Sequence, residues 1–329
     1  MVSCLNNGKK LNYIPLMPIR TMNLYYKDLS NNSIITISQN AFSKLTYLRH
    51  LQINNNNELN STVATNAFSS LSTTHIESLH VDNMGWNQIT PDFFENLDFP
   101  GFEYISLSKN NLKNVEFSTI SSLRKFSLIN NIFSAVPNFC KDKNNGFFPK
   151  LEELYIRDNI IHSARKDAFM CLENLKHLDI SSNPIRIIKY GLFLPLKSLG
   201  TLVMRNFDRF YRTDIEPRGL MSNTLKEIQF SGTFVVKDIE TDNVFDFSPN
   251  IQILEFYDTY MSGDLKNYKR LFSPLKRLGK TGGLSEMPTE FFTMFPKLKK
   301  IDLLGNKISS WNGRAVFGNM TTIGTLNLS

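Results

Sequence analysis

Apolar residues in this chain follow one template, apolar-x-x-apolar-x-apolar-x-x-Asn, whose anchor position advances by 21 to 28 residues each time. Four consecutive copies are nearly clean: Phe102/Ile105/Leu107/Asn110, Leu123/Phe126/Leu128/Asn131, Leu151/Leu154/Ile156/Asn159 and Leu175/Leu178/Ile180/Asn183. A fifth, Leu298/Ile301/Leu303/Asn306, appears downstream. Looser copies fill the gaps, from Leu48/Leu51/Ile53/Asn56 and Ile76/Leu79/Val81/Met84 to Leu199/Leu202/Met204/Phe207, Leu225/Ile228/Phe230/Thr233, Ile251/Leu254/Phe256/Thr259 and Leu275/Leu278/Lys280/Gly283. A period of this length over a whole chain is the signature of a solenoid rather than of successive globular domains.

Each x-apolar-x-apolar-x segment alternates with period two, as a short strand does when one face is buried and the other wet. Stacked copies predict a parallel sheet, which needs apolar cover on its inner side. The second half of each copy supplies it through Ala41/Phe42, Ala67/Phe68, Phe93/Phe94, Ala168/Phe169, Phe291/Phe292 and Val316/Phe317, expected to stack as an internal spine. The anchor asparagine is expected to turn inward and satisfy backbone groups of the neighbouring coil. From Phe207 through Thr233 and Thr259 to Gly283 that ladder is interrupted. Two inserts, Cys140 to Lys150 and Phe207 to Met221, break the period and are expected to bulge as loops.

The 329 residues carry a formal charge of +7 with only 20% charged residues, a balance that fits a solvated surface better than a dedicated polyanion binder. No apolar stretch approaches the roughly 20 residues of a membrane helix, and the opening residues lack the apolar core of a secretory signal. Cys4, Cys140 and Cys171 have no CxxC spacing, so neither a zinc site nor a thioredoxin-type redox pair is indicated.

Val2-Ser-Cys4, Leu11-Asn-Tyr-Ile14-Pro15 and Pro18-Ile-Arg-Thr21 resemble the closing part of the N-terminal cap of extracellular leucine-rich-repeat proteins. Copies such as Leu175-Lys-His-Leu-Asp-Ile-Ser-Ser-Asn183-Pro-Ile, followed by Gly191-Leu-Phe193, resemble the animal extracellular subtype. In style the long, irregular array is similar to Toll-like receptor and chaoptin-like ectodomains. The resemblance implies an α/β leucine-rich-repeat solenoid, a horseshoe with the parallel sheet on its concave face and short helical or irregular segments on its convex face. It organises the chain as a partial cap at 1–23 and an array of about twelve repeats at 24–329, the last one truncated. With one cap cysteine remaining and the last strand cut short, the expectation is a fragment of a longer protein, its signal peptide and membrane anchor lying elsewhere.

Outward positions of successive strands form ladders across the concave face, where partners usually dock on a solenoid. Four and two positions before the anchors stand Tyr155, Arg157, Asp179, Arg205, Glu255 and Tyr257, residue types rich in interface anchors. They are the candidate binding patch, set against a plainly solvated face with partners on the convex side or flank. Lys276, Arg277, Lys299 and Lys300 fall at equivalent offsets and form a candidate basic patch for an anionic glycan or nucleic acid, the alternative being a solubilising edge. Asn60 and Asn319 are candidate N-glycosylation sites, with Asn31 and Asn327 in weaker sequons beside strands. Cys140 and Cys171, in successive repeats, are either a disulfide of an oxidising compartment or buried free thiols.

His50, His75, His80, His162 and His177 show no metal-ligating spacing, and no nucleophile motif is present. No cofactor and no metal is expected. The expected function is non-enzymatic recognition of a protein or pathogen-derived ligand by a cell-surface receptor ectodomain, Toll-like and tied to innate immunity, or by an adhesion protein, with a homodimer as a further possibility. An intracellular scaffold and a noncatalytic subunit of an enzyme complex are the alternatives.

Overall fold

The computed structural model describes residues 2–3, 10–17, 24–207, 213–216, 218–236, 250–262, 277–279, 292, 297–302 and 323–327; at 2–3, 232–236, 254–262 and 277–279 it describes the backbone alone. The chain forms two compact units, residues 1–160 with 170–175, and residues 161–169 with 176–329. Each is a parallel-strand solenoid of leucine-rich-repeat type.

In the first unit, β1 (Val2–Ser3), β3 (Tyr26–Asp28), β5 (His50–Gln52), β6 (Ser78–His80), β7 (Tyr104–Ser106), β8 (Lys125–Ser127) and β9 (Glu153–Tyr155) pair in parallel and in that order. The register matches equivalent template positions, with Leu51 opposite Leu79 and Ile105 opposite Phe126. Their inward side chains, Leu51, Leu79, Ile105, Phe126 and Leu154, are fully buried. On the return side β2 (Tyr13–Ile14) pairs with β4 (Thr36–Ile37). Two short helices follow, α1 (Ser61–Phe68) capped by the Asn60 side chain and α2 (Pro91–Glu95) opened by proline, whose missing N–H is harmless in a first turn.

The corner after β3, β5, β6, β7, β8 and β9 has one recipe. The residue before the anchor is left-handed at Asn31, Asn55, Asn83, Lys109, Asn130 and Asp158, with φ between 53° and 60°. Asparagine and aspartate tolerate that region better than other side chains, which accounts for the Asn-Asn doublets. The anchor then turns inward. Nδ2 of Asn131 donates to the Leu128 carbonyl of its own coil at 3.1 Å and to the Leu107 carbonyl of the preceding coil at 3.0 Å. Its Oδ1 accepts the Leu112 N–H at 3.1 Å. Asn56, Asn110 and Asn159 repeat the arrangement, each buried. Each of these asparagines thus pairs buried groups from two coils, a task Met84 in the same position leaves undone.

Behind the sheet runs the aromatic spine. Phe42, Phe68 and Phe93 follow one another at 6.5 and 6.0 Å between ring centroids, and Phe94 touches Phe117, Phe126 and Phe148. All but Phe117, 5% exposed, are at most 1% exposed, each burial contributing about 2–3 kcal/mol.

In the second unit β10 (His177–Asp179), β12 (Thr201–Met204), β14 (Glu227–Val236), β15 (Ile253–Ser262), β16 (Arg277–Gly279), β17 (Lys300–Asp302) and β18 (Thr325–Asn327) form the parallel series. Asn183 makes the anchor bonds to Ile161 and Ile180, and Phe169 stacks on Phe193 at 6.0 Å. Where Thr233 and Thr259 replace asparagine, the corner is absent: both lie inside ten-residue strands that pair across it, with one register shift at Ser231/Gly232. β-Branched and aromatic residues there favour continued extension over a turn.

The insert from Phe207 to Met221 is not simply a loop. Its residues Thr213–Ile215 form β13, which pairs with β11 (Ile187–Ile188) and with the far half of β14. Thr213 and Ile215 are buried, and Thr213 donates to the Ile185 carbonyl at 2.7 Å. The insert from Cys140 to Lys150 is a tight loop fastened by a single antiparallel bridge between Cys140 and Gly146.

Candidate functional site: the strand face

The outward side chains of the first unit form three columns, six, four and two positions before the anchors. The outermost reads Tyr26, His50, Ser78, Tyr104, Lys125 and Glu153. Lys125 is its centre. Its ammonium stands 5.4 Å from the Tyr104 ring centroid and 5.0 Å from that of Tyr155, and pairs with Glu153 at 2.9 Å. Glu153 also accepts the Tyr155 hydroxyl at 2.7 Å. His80 meets Tyr104 edge-on at 4.9 Å, and further along Tyr26 faces His50, whose Nδ1 lies 2.9 Å from the Ser78 hydroxyl. The result is an unbroken aromatic and cationic ridge over four neighbouring strands.

Beside the ridge lies a floor of small polar groups. Oδ1 of Asp82 accepts the Ser106 hydroxyl at 2.5 Å and the Ser108 N–H at 2.7 Å, and Ser108 continues to Ser127 at 2.8 Å. Because Ser106, Ser108 and Ser127 are buried, the ridge stands proud of them.

Electrostatics follow from this packing. Burial, then the hydrogen bond to Glu153, push the Tyr155 phenol up to about 12. Burial lowers the His80 imidazole below its ordinary value against the upward pull of Asp82. Lys125 is raised because Glu153 and the two tyrosines outweigh its burial, which acts downward and is the largest single influence. Among the described residues no cluster of His, Cys, Asp or Glu could hold a metal.

Of the six residues proposed as a patch, Tyr155 and exposed Arg157 lie on this ridge and its neighbouring column, Arg157 being 3.7 Å from Asp158. Asp179 and Arg205 belong to the second unit, where Asp179 accepts the Ser181 N–H at 3.0 Å and Arg205 donates to Gln229 at 2.7 Å. Glu255 and Tyr257 sit on β15 opposite Gln229 and Ser231, their side chains outside the described set. In the basic group Arg277 is in register with Lys300, Lys299 and Lys300 are exposed, and Lys276 lies outside the described residues. Asn319 and Cys4 also lie outside them. Asn60 is exposed, its Oδ1 taking the Thr62 N–H at 2.8 Å. Cys140 and Cys171 form a disulfide, Cα atoms 5.3 Å apart.

Tyr104, Lys125 and Glu153 stand six positions before their anchors, outside the two columns from which the sequence patch is drawn, and His80 stands four before the Met84 anchor. Reading the sixth position in register would have aligned Tyr104, Lys125 and Glu153 on successive strands.

The family model for the leucine-rich repeat matches residues 149–208. Osteomodulin of Rattus norvegicus is 25% identical over 211 residues, 57% of this chain and 47% of that protein. Toll-like receptor 4 of Bos taurus is 30% identical over 119 residues, 34% of this chain and 13% of the receptor. Among solved structures, a chain of the Toll–Spatzle complex, a hub in Drosophila development and innate immunity, matches with a TM-score of 0.51 at 16% identity, over 87% of this chain and 45% of that one. The chain therefore spans about half the length of osteomodulin (47%), and the Toll match is one of fold. The fold is that of a leucine-rich-repeat solenoid, and the chain is similar to osteomodulin and to Toll-like receptor 4. Among the described residues no helix is long and apolar enough to cross a membrane.

Proposed function

We propose that this chain is a non-enzymatic recognition module of a cell-surface or extracellular protein, and that it binds a protein ligand with the strand face of its first unit. The observation that carries this reading is the ridge of His80, Tyr104, Lys125 and Tyr155 above a recessed serine floor. Tyrosines held by a cation and a carboxylate lose little conformational freedom when a partner covers them, which is how interface anchors act. Arg157 extends the same patch, while Asp179, Arg205, Glu255 and Tyr257 are assigned to a corresponding face of the second unit. The disulfide favours an oxidising compartment over the intracellular scaffold. In that compartment Asn60 carries a glycan, as does Asn319. The relationship to osteomodulin and Toll-like receptor 4 supports an adhesion or receptor role, with innate immune signalling the finer form of the proposal.

The test places a photo-crosslinking amino acid at position 155, or at position 113 on the return side, in the protein secreted from animal cells and applied to intact cells. Discrete protein adducts from position 155 alone support the reading. Adducts from position 113 alone, or failure of the chain to leave the cell, overturn it.

A further inference from the structure

Residues 140–147 make a hairpin whose tip is tied down by one carboxylate. Lys141 N–H donates to the Asn145 carbonyl at 2.9 Å, and Phe147 N–H to the Phe139 carbonyl at 3.0 Å. Asp142 Oδ1 accepts the N–H groups of Asn144 and Asn145, both at 2.9 Å. The Asn145 carboxamide nitrogen donates to both Asp142 oxygens, at 3.0 and 2.9 Å. The next residue has to be glycine, since a Cβ at position 146 would lie 2.6 Å from the Cys171 carbonyl oxygen. Closure by the disulfide therefore requires glycine at 146, which puts an Asn-Gly pair in the loop, and no side chain shields the glycine nitrogen.

We infer that Asn145 is a latent self-modification site, kept unreactive by the Asp142 clasp and by the Cys140–Cys171 bridge. In the reaction the Gly146 nitrogen attacks Cγ of Asn145, the new N–C bond replaces the Cγ–Nδ2 bond, and the amide departs as ammonia with the Gly146 proton. Water then opens the cyclic imide at either carbonyl, leaving aspartate or isoaspartate. In the closed loop the carboxamide is fixed through its own N–H groups, and the negative Asp142 opposes the charge that develops on the attacked carbonyl. A dithiol that reduces the bridge, itself ending as a cyclic disulfide, frees the Cys171 turn from Gly146 and lets Asn145 rotate.

The product cannot return to the starting fold. A carboxylate at position 145 faces Asp142 where hydrogen bonds stood, and isoaspartate lengthens the backbone of a hairpin with no slack. The loop borders a surface cleft of about 730 Å³ that Glu173 and Asn174 also line, so the change rewrites the charge of that cleft. Passing exposure to a reductant would thus leave a permanent covalent mark.

The experiment follows Asn145 by peptide mapping, as amide, aspartate or isoaspartate, in the secreted full chain at neutral pH. Wild type with the bridge intact is compared with wild type in dithiothreitol and with Asp142→Ala, bridge intact. Both perturbations are expected to speed conversion about tenfold, the factor carried by loss of one charge-assisted hydrogen bond. Asn145→Gln, whose longer side chain cyclises poorly, should stay unchanged. Circular dichroism of the same samples reports general unfolding. Acceleration that appears only together with loss of the circular dichroism signal overturns the inference, as does conversion of oxidised wild type at the rate of the free peptide 141–147.

Discussion

Asn131 donates to the carbonyl of Leu107, a residue 24 positions earlier in the chain, and that 3.0 Å bond ties each end of one full turn of the solenoid to the other. Replacing it with leucine keeps approximate bulk but leaves the Leu112 N–H without its acceptor, while the Leu107 and Leu128 carbonyls keep one donor each, Asn110 and Asn159. Asn131→Leu is expected to cost about 1–3 kcal/mol, the penalty of one buried backbone donor left unpaired. Urea unfolding followed by circular dichroism checks this; an unchanged midpoint would remove the anchor from the account of stability.

Lys109 occupies the left-handed corner that Asn31, Asn55, Asn83 and Asn130 fill elsewhere, at φ 56°, and it is exposed. Lys109→Asn should therefore stabilise the first unit by about 0.5–1 kcal/mol through relieved backbone strain alone. The same substitution at Lys113, away from any such corner, serves as the control. Equal shifts in the two variants would mean that charge, not the corner, is responsible.

Tyr155 should remain protonated well beyond its ordinary 10.0, up to about 12. The sign follows from the raised value: its contribution to stability is whole below pH 10.0 and disappears as pH climbs through about 12. Ultraviolet titration of the phenolate, with Tyr155→Phe as reference, should show the late component vanish in the variant. Glu153→Gln should bring it earlier. A late component that survives Tyr155→Phe belongs to another tyrosine.

His80 titrates in the opposite sense. Its folded value is depressed, chiefly by burial, with Asp82 opposing and His50 adding to the depression. Its contribution is complete above the ordinary imidazole value and is lost as pH falls through the lowered one. Unfolding midpoints measured between about pH 7 and 5 should fall for wild type and flatten for His80→Phe, which keeps the ring and drops the charge. Parallel slopes for the two proteins would rule His80 out as the source.

How much of this was legible in the sequence depended on whether the information was local. The anchors Asn110, Asn131, Asn159 and Asn183 and the Phe pairs announce themselves because each coil writes the same local chemistry again. β13 does not, since Thr213–Ile215 becomes a strand only through β11 and β14, partners far away in the chain. The straightened corners at Thr233 and Thr259 were visible as missing asparagines, yet their outcome, two long paired strands, depends on each strand having the other. The ridge lies between these cases: its columns follow from the period, but Lys125 bridging two tyrosines is a property of side-chain reach across three strands.

The cross-link between Cys140 and Cys171 also has a mechanical meaning. The 31 residues it spans cannot be drawn out when the chain is pulled from its ends, because tension passes through the sulfurs instead. Cutting that bond adds roughly 100 Å of contour, at about 3.3–3.6 Å per extended residue. A protein tethered between a surface and a pulling ligand would then hold a reserve of length that is paid out only after reduction.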